Sequence, residues 1–161
     1  MRQDQHPSRA RLHEHKGSDA QAGQVALRGA WAAGDVADRQ GGEDEGSTER
    51  PADDEAVEAA REAATRCRRL AIACFEADRK RGLTFADDEA TADALLADLH
   101  RRVGDFDAAR ACARTGRARE PEGLLLEVLR FQVRLAESGD ADCHHLGEIE
   151  EDDEFTIILP G

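Results

Sequence analysis

Apolar residues recur every three or four positions from Asp53 to Ser138, whereas before Asp53 they follow no period. The recurrence is helical. A first helix is predicted over residues 53–81, with Pro51 ahead of it and the acidic Asp53, Asp54 and Glu55 at its positive end. Val57, Ala60, Ala64, Cys67, Ala71 and Cys74 line one face, widened by Leu70 and Phe75. Gly82 ends it, and Arg79, Lys80 and Arg81 face the negative end. A second helix starts at Asp87 or Asp88, after the lead-in Thr84 and Phe85. It buries Ala92, Leu95, Leu96, Leu99 and Val103, and Gly104 breaks it. A third, over residues 105–117, buries Phe106, Ala109, Cys112 and Ala113. Pro121 at a first helical position opens a fourth, with Leu124, Leu125, Val128, Leu129, Phe131 and Leu135, stopped by Ser138, Gly139 and Asp140. The tail is acidic over residues 148–154. It closes on Phe155, Thr156, Ile157, Ile158 and Leu159, a short run read either as an edge strand or as a segment docking back on the helices.

The pattern gives an all-α chain of about four short antiparallel helices in three parts: an N-terminal segment, 1–52, a helical domain, 53–138, and an acidic tail, 139–161. Residues 1–52 contain two Leu, two Val and no Ile, Phe or Cys, with Trp31 the lone large side chain. Such a segment buries too little apolar area to offset its ordering entropy, so disorder is predicted. A transient helix over 20–37 is opposed by Gly23, Gly29 and Gly34. The alternative is that this stretch is not native sequence, since a GC-rich gene read from an upstream start or in another frame yields similar composition.

Composition supports the helical reading. The 161 residues are 35% charged and 40% hydrophobic, with alanine prominent, one Trp, five Phe and no Tyr. Alanine favours helix and close backbone approach, whereas strands want β-branched and aromatic side chains. The net charge of −13 argues against nucleic acid and against an anionic membrane surface. With Lys16 and Lys80 the only lysines, the acidity resembles proteins of organisms that accumulate salt, where a carboxylate surface keeps the chain soluble. No stretch reaches the roughly 18–20 apolar residues of a membrane span, and no secretory signal is present, so a cytoplasmic chain is expected. Cys67, Cys74, Cys112 and Cys143 lack Cys-x-x-Cys spacing and are expected as reduced thiols.

Residues 91–121 carry the most specific pattern: Leu96-Ala97, His100, Gly104-Asp105-Phe106, Ala109, Ala113 and Pro121. Small residues at fixed offsets let two helices approach, the glycine takes the tight turn and the phenylalanine fills the interface. This resembles a tetratricopeptide repeat (TPR). Asp93 stands where that repeat usually has Trp, and Ala113 where it often has Phe. No second repeat is found, so the first and fourth helices are expected as flanking caps. Residues 59–135, including Leu99-His100-Arg101-Arg102-Val103-Gly104-Asp105-Phe106, are also similar to an uncharacterised prokaryotic family in which TPR-like helices follow a zinc ribbon. That ribbon's cysteines are absent, which removes the metal site the resemblance would bring.

Adjacent Cys and His in Asp142-Cys143-His144-His145 suggest zinc ligation or an activated thiol, but the spacing matches no zinc frame and no oxyanion site is evident, so a polar turn is the preferred reading. His100 is expected as a packed, hydrogen-bonded histidine, and the other cysteines as small hydrophobes. The residues 148–154 lack calcium-loop spacing, and no phosphate loop, Gly-x-Ser-x-Gly or His-Glu-x-x-His occurs. No catalytic, cofactor-binding or metal-ligating residue is assigned. The expected role is a non-catalytic adaptor or scaffold for a protein or peptide, contacted by exposed residues such as Asp93, Asp98 and Arg101. Alternatives are a homo-oligomer sharing the face over 124–135 and a metal or thiol sensor built on Cys143, His144 and His145.

Overall fold

The computed structural model describes residues 18–41, 51–144 and Gly147. Among them are five α-helices and no strand: α1 (Ser18–Gly41), α2 (Pro51–Lys80), α3 (Glu89–Arg102), α4 (Phe106–Arg117) and α5 (Leu124–Ser138). The all-α class holds, with one helix more than the periodicity predicts. The rest of residues 1–52 and the run at 155–159 lie outside the described residues. By its contacts the chain forms two compact units, Met1–Phe85 and Ala86–Gly161.

The first unit pairs α1 with α2. α1 corrects the sequence reading, because the glycines that weigh against a helix there are what let it pack. Gly23, Ala26, Leu27, Ala30 and Gly34 recur along its buried face. A Cβ added at Gly23 would lie 2.6 Å from Phe75 Cε1, so the ring sits directly on the glycine backbone. Each glycine costs helix propensity of about 1 kcal/mol, and burial of the seam offsets it. On α2, Ala64, Ala71 and Phe75 are buried as expected. Leu70, read as widening that face, is instead 55% exposed. The helical partner of α2 is α1. Phe75 stacks on Phe85 with centroids 4.4 Å apart, and Arg81 joins Asp19 of α1 to Asp78 of α2.

The second unit is the hairpin of α3 and α4, with α5 packed on both. Asp88 caps α3 by accepting from Thr91 N–H at 2.7 Å, and Asp105 caps α4 by accepting from Ala108 N–H at 3.2 Å. Between them Gly104 takes φ +81°, a conformation that side chains disfavour. Ala94, Ala97, Ala113, Leu129 and Val133 form the core cluster. α5 begins at Leu124 rather than Pro121, after Glu120 in a left-handed conformation and with Gly123 at its cap. Leu124, the first residue of α5, is 54% exposed.

Gly116 sets the closeness of the three helices. A Cβ there would meet Leu129 Cδ2 at 2.8 Å and Asp93 Cβ at 3.0 Å. Gly116→Ala gains helix propensity of about 1 kcal/mol but overpacks this crossing by about 1–3 kcal/mol. A net loss of roughly 1 kcal/mol is expected in urea unfolding, and a more stable variant would contradict this packing.

Candidate functional site

Two polar constellations lie within the second unit. The first centres on Arg101, which the sequence reading placed at the surface but which is only 1% exposed. It continues the line of Ala90, Ala94 and Ala97 along the buried face of α3. Arg101 Nε donates to Gln132 Oε1 at 2.9 Å, and its Nη2 donates to Asp98 Oδ1 at 2.9 Å. Its Nη1 donates to the Asp140 and Asp142 carbonyls at 2.9 and 2.7 Å. One α3 side chain thus fastens α5 and the segment that leaves it. Asp98 is half-buried and committed to this cluster.

That segment holds the Cys-His sequence. His144 Nε2 lies 3.0 Å from Asp140 Oδ2, and its ring meets the Phe131 ring edge-on at 5.5 Å. Cys143 is exposed, and His145 falls outside the described residues. Among the described residues, no group of three His, Cys, Asp or Glu is arranged to hold a metal ion. Cys67, Cys74 and Cys112 are half-buried and free of disulfides. Burial first, then Asp19 and Asp78, push the Cys74 thiol above its ordinary range, which keeps it protonated at neutral pH. His100 is buried, with Nδ1 3.4 Å from Asp105 Oδ2, as a packed histidine should be.

Asp140 makes the segment sensitive to acid. The Asp142 N–H that donates to Oδ1 at 2.8 Å is the largest influence holding its carboxyl below the usual range; burial opposes it, and His144 and Arg101 add to it. A depressed carboxyl contributes stability above its unfolded value of about 4, lost as pH falls through the lower folded value. Asp140→Asn should therefore flatten the acid limb of a stability-versus-pH curve below about pH 4. An acid limb identical to that of the wild type would contradict the assignment.

The second constellation is an open cleft of about 490 Å³ where α3 begins and the α4–α5 connection passes. Asp88, Glu89 and Glu122 bring carboxylates, Ala90, Pro121 and Leu125 bring apolar surface, and Arg119 is the lining cation. Arg119 Nε donates to Asp93 Oδ2 at 2.7 Å, and its Nη2 lies 3.5 Å from Glu89 Oε2. Asp93 is fully buried, so the second residue expected to offer a surface contact serves the interior. Its carboxylate is held there as an ion pair with Arg119.

Comparison with family models, curated proteins and solved structures finds no match. Sequence periodicity placed Leu125 on the apolar face of the fourth helix but did not single out Glu89, Arg119 or Glu122, because a cleft between helix ends has no period. The available signal was Pro121, which displaces the chain between α4 and α5, beside an acidic N-cap.

Proposed function

We propose that this chain is a TPR-like, non-catalytic interaction module, an adaptor or scaffold that holds a peptide segment of a partner protein. The observation that carries the reading is the cleft at the start of α3, concave and open, with carboxylates beside apolar surface. Three carboxylates against one already paired arginine suit a segment presenting a Lys or Arg beside an apolar residue. The TPR-like reading rests on the hairpin of α3 and α4, turned at Gly104 and closed through Ala97, Ala109 and Gly116. The net charge of −13 supports a salt-accumulating host and disfavours nucleic acid. Among the described residues no helix is long and apolar enough to cross a membrane, in keeping with a cytoplasmic site of action.

An array of short peptides graded in charge and hydrophobicity, probed with the full chain, tests this. Basic-apolar peptides should bind, acidic ones should not, and Glu122→Lys combined with Leu125→Asp should reduce binding at least about tenfold, a change of about 1.4 kcal/mol. Leu70→Ala, in the other unit, should leave binding unchanged. Binding indifferent to peptide charge, or to the double substitution, would overturn the assignment of the cleft.

A further inference from the structure

The charged groups that line the cleft at α3 divide into committed and open ones. Asp88 is committed: its Oδ1 accepts from Thr91 N–H at 2.7 Å, and the positive end of α3 offsets its charge. Glu89 shares Arg119, whose Nη2 lies 3.5 Å from its Oε2. Glu122 is exposed and makes no hydrogen bond or ion pair among the described residues. It adjoins Pro121 and stands one turn before Leu125, so the open carboxylate accompanies the apolar part of the lining. Arg119 is the complement. Its Nε donates to Asp93 Oδ2 at 2.7 Å, and Asp93 is fully buried, so the guanidinium is held by a partner fixed in the interior. A guanidinium carries five N–H groups, and Nη1 makes no hydrogen bond among the described residues. The cleft thus offers one open carboxylate and one positioned donor.

We propose that Glu122 pairs with the Lys or Arg of the partner while Arg119 donates to a main-chain carbonyl of the same segment, so that the segment enters extended and not as a helix. The assignment rests on the peptide reading of the cleft and adds the form of the partner. Two arguments select that form. In an extended segment a carbonyl is open to an outside donor, whereas inside a helix it already accepts from the N–H four residues on. The second is size. One turn of helix with its side chains fills about 500 Å³, so a cleft of about 490 Å³ seats a single turn. Recognition of an amphipathic helix draws on anchors spread over two turns or more, at i, i+4 and i+7. An extended segment needs room only for the cation, its apolar neighbour and the backbone between them.

Calorimetry on the full chain, in about 0.5 M salt to screen long-range attraction to its net charge, tests this. The probes are the tightest linear basic-apolar peptide of the array, end-capped, and a helical form of it closed by a hydrocarbon staple away from the Lys or Arg. The linear form should bind at least about tenfold more tightly than the stapled one. Glu122→Gln should weaken the linear peptide about three- to fivefold, whereas Asp88→Asn, which still caps α3, and Glu89→Gln should each cost less than about twofold. Arg119→Lys keeps a cation beside Asp93 but has a single nitrogen, so it should weaken the linear peptide by about as much as Glu122→Gln. Circular dichroism confirms that each variant is folded. A stapled form that binds as tightly as the linear one, a loss at Asp88 or Glu89 equal to that at Glu122, or no loss for Arg119→Lys would overturn the proposal and leave the peptide reading standing. Failure of both forms to bind would remove that reading and the proposal together.

Discussion

Arg101→Met is expected to destabilise the Ala86–Gly161 unit by about 3–5 kcal/mol, the range found when one partner of a buried charge cluster is removed. Methionine keeps the length of the side chain but leaves the Gln132 carbonyl and the Asp140 and Asp142 backbone carbonyls without the donor that reaches them. Asp98 retains partial access to water, which places the loss toward the lower end of that range. Arg101→Lys should recover little, because the three donors of an ammonium sit on one nitrogen and cannot reach acceptors that Nε, Nη1 and Nη2 reach separately. Urea unfolding followed by circular dichroism measures the effect, analysed for two units rather than one. A loss below about 1 kcal/mol would mean that the cluster contributes as an exposed pair does.

Phe75→Ala has the largest expected effect in the other unit. The ring is fully buried, lies against the backbone of Gly23 and stacks on Phe85 at 4.4 Å. Removing a buried phenylalanine costs about 3–5 kcal/mol in lost transfer energy and residual cavity. α1 has little else large to bury, with Leu27 accompanied by Ala26 and Ala30, so it should separate from α2 and lose helicity. The far-ultraviolet spectrum should fall by about the contribution of α1 while the second unit melts unchanged. Retention of full helicity would show that α1 does not depend on this contact.

The helices from α2 to α5 were legible because their signals are local. Apolar residues at threes and fours, the Asp88 and Asp105 caps, and Gly82, Gly104 and Gly139 at turns act within one or two turns of chain. The hairpin of α3 and α4 followed from Gly104 and the small residues around it. What remained illegible depends on the partner across the seam. Gly23, Gly29 and Gly34 count against helix one residue at a time, yet α1 packs closely because α2 presents Phe75 to Gly23 and Cys67 to Gly29. Asp93 and Arg101 look like surface residues in any residue scale, since burial of a charge becomes tolerable only with Arg119, Asp98 and Gln132 in place. Conversely, Leu70 reads as a core residue and is exposed, because a helical stripe shows where burial is available without fixing which positions a neighbour covers. The cleft was only partly foreseeable: Pro121 marked the right connection but was read as the start of α5.

The central claim is that the cleft beside α3 is where this chain receives a partner. The most direct measurement is a backbone nuclear magnetic resonance titration of the full-length protein with a basic-apolar peptide selected on the array. The predicted result is saturable amide shifts concentrated at Asp88, Glu89, Ala90, Arg119, Glu122 and Leu125. Shifts confined to α1 and α2, or none at saturating peptide, would contradict it.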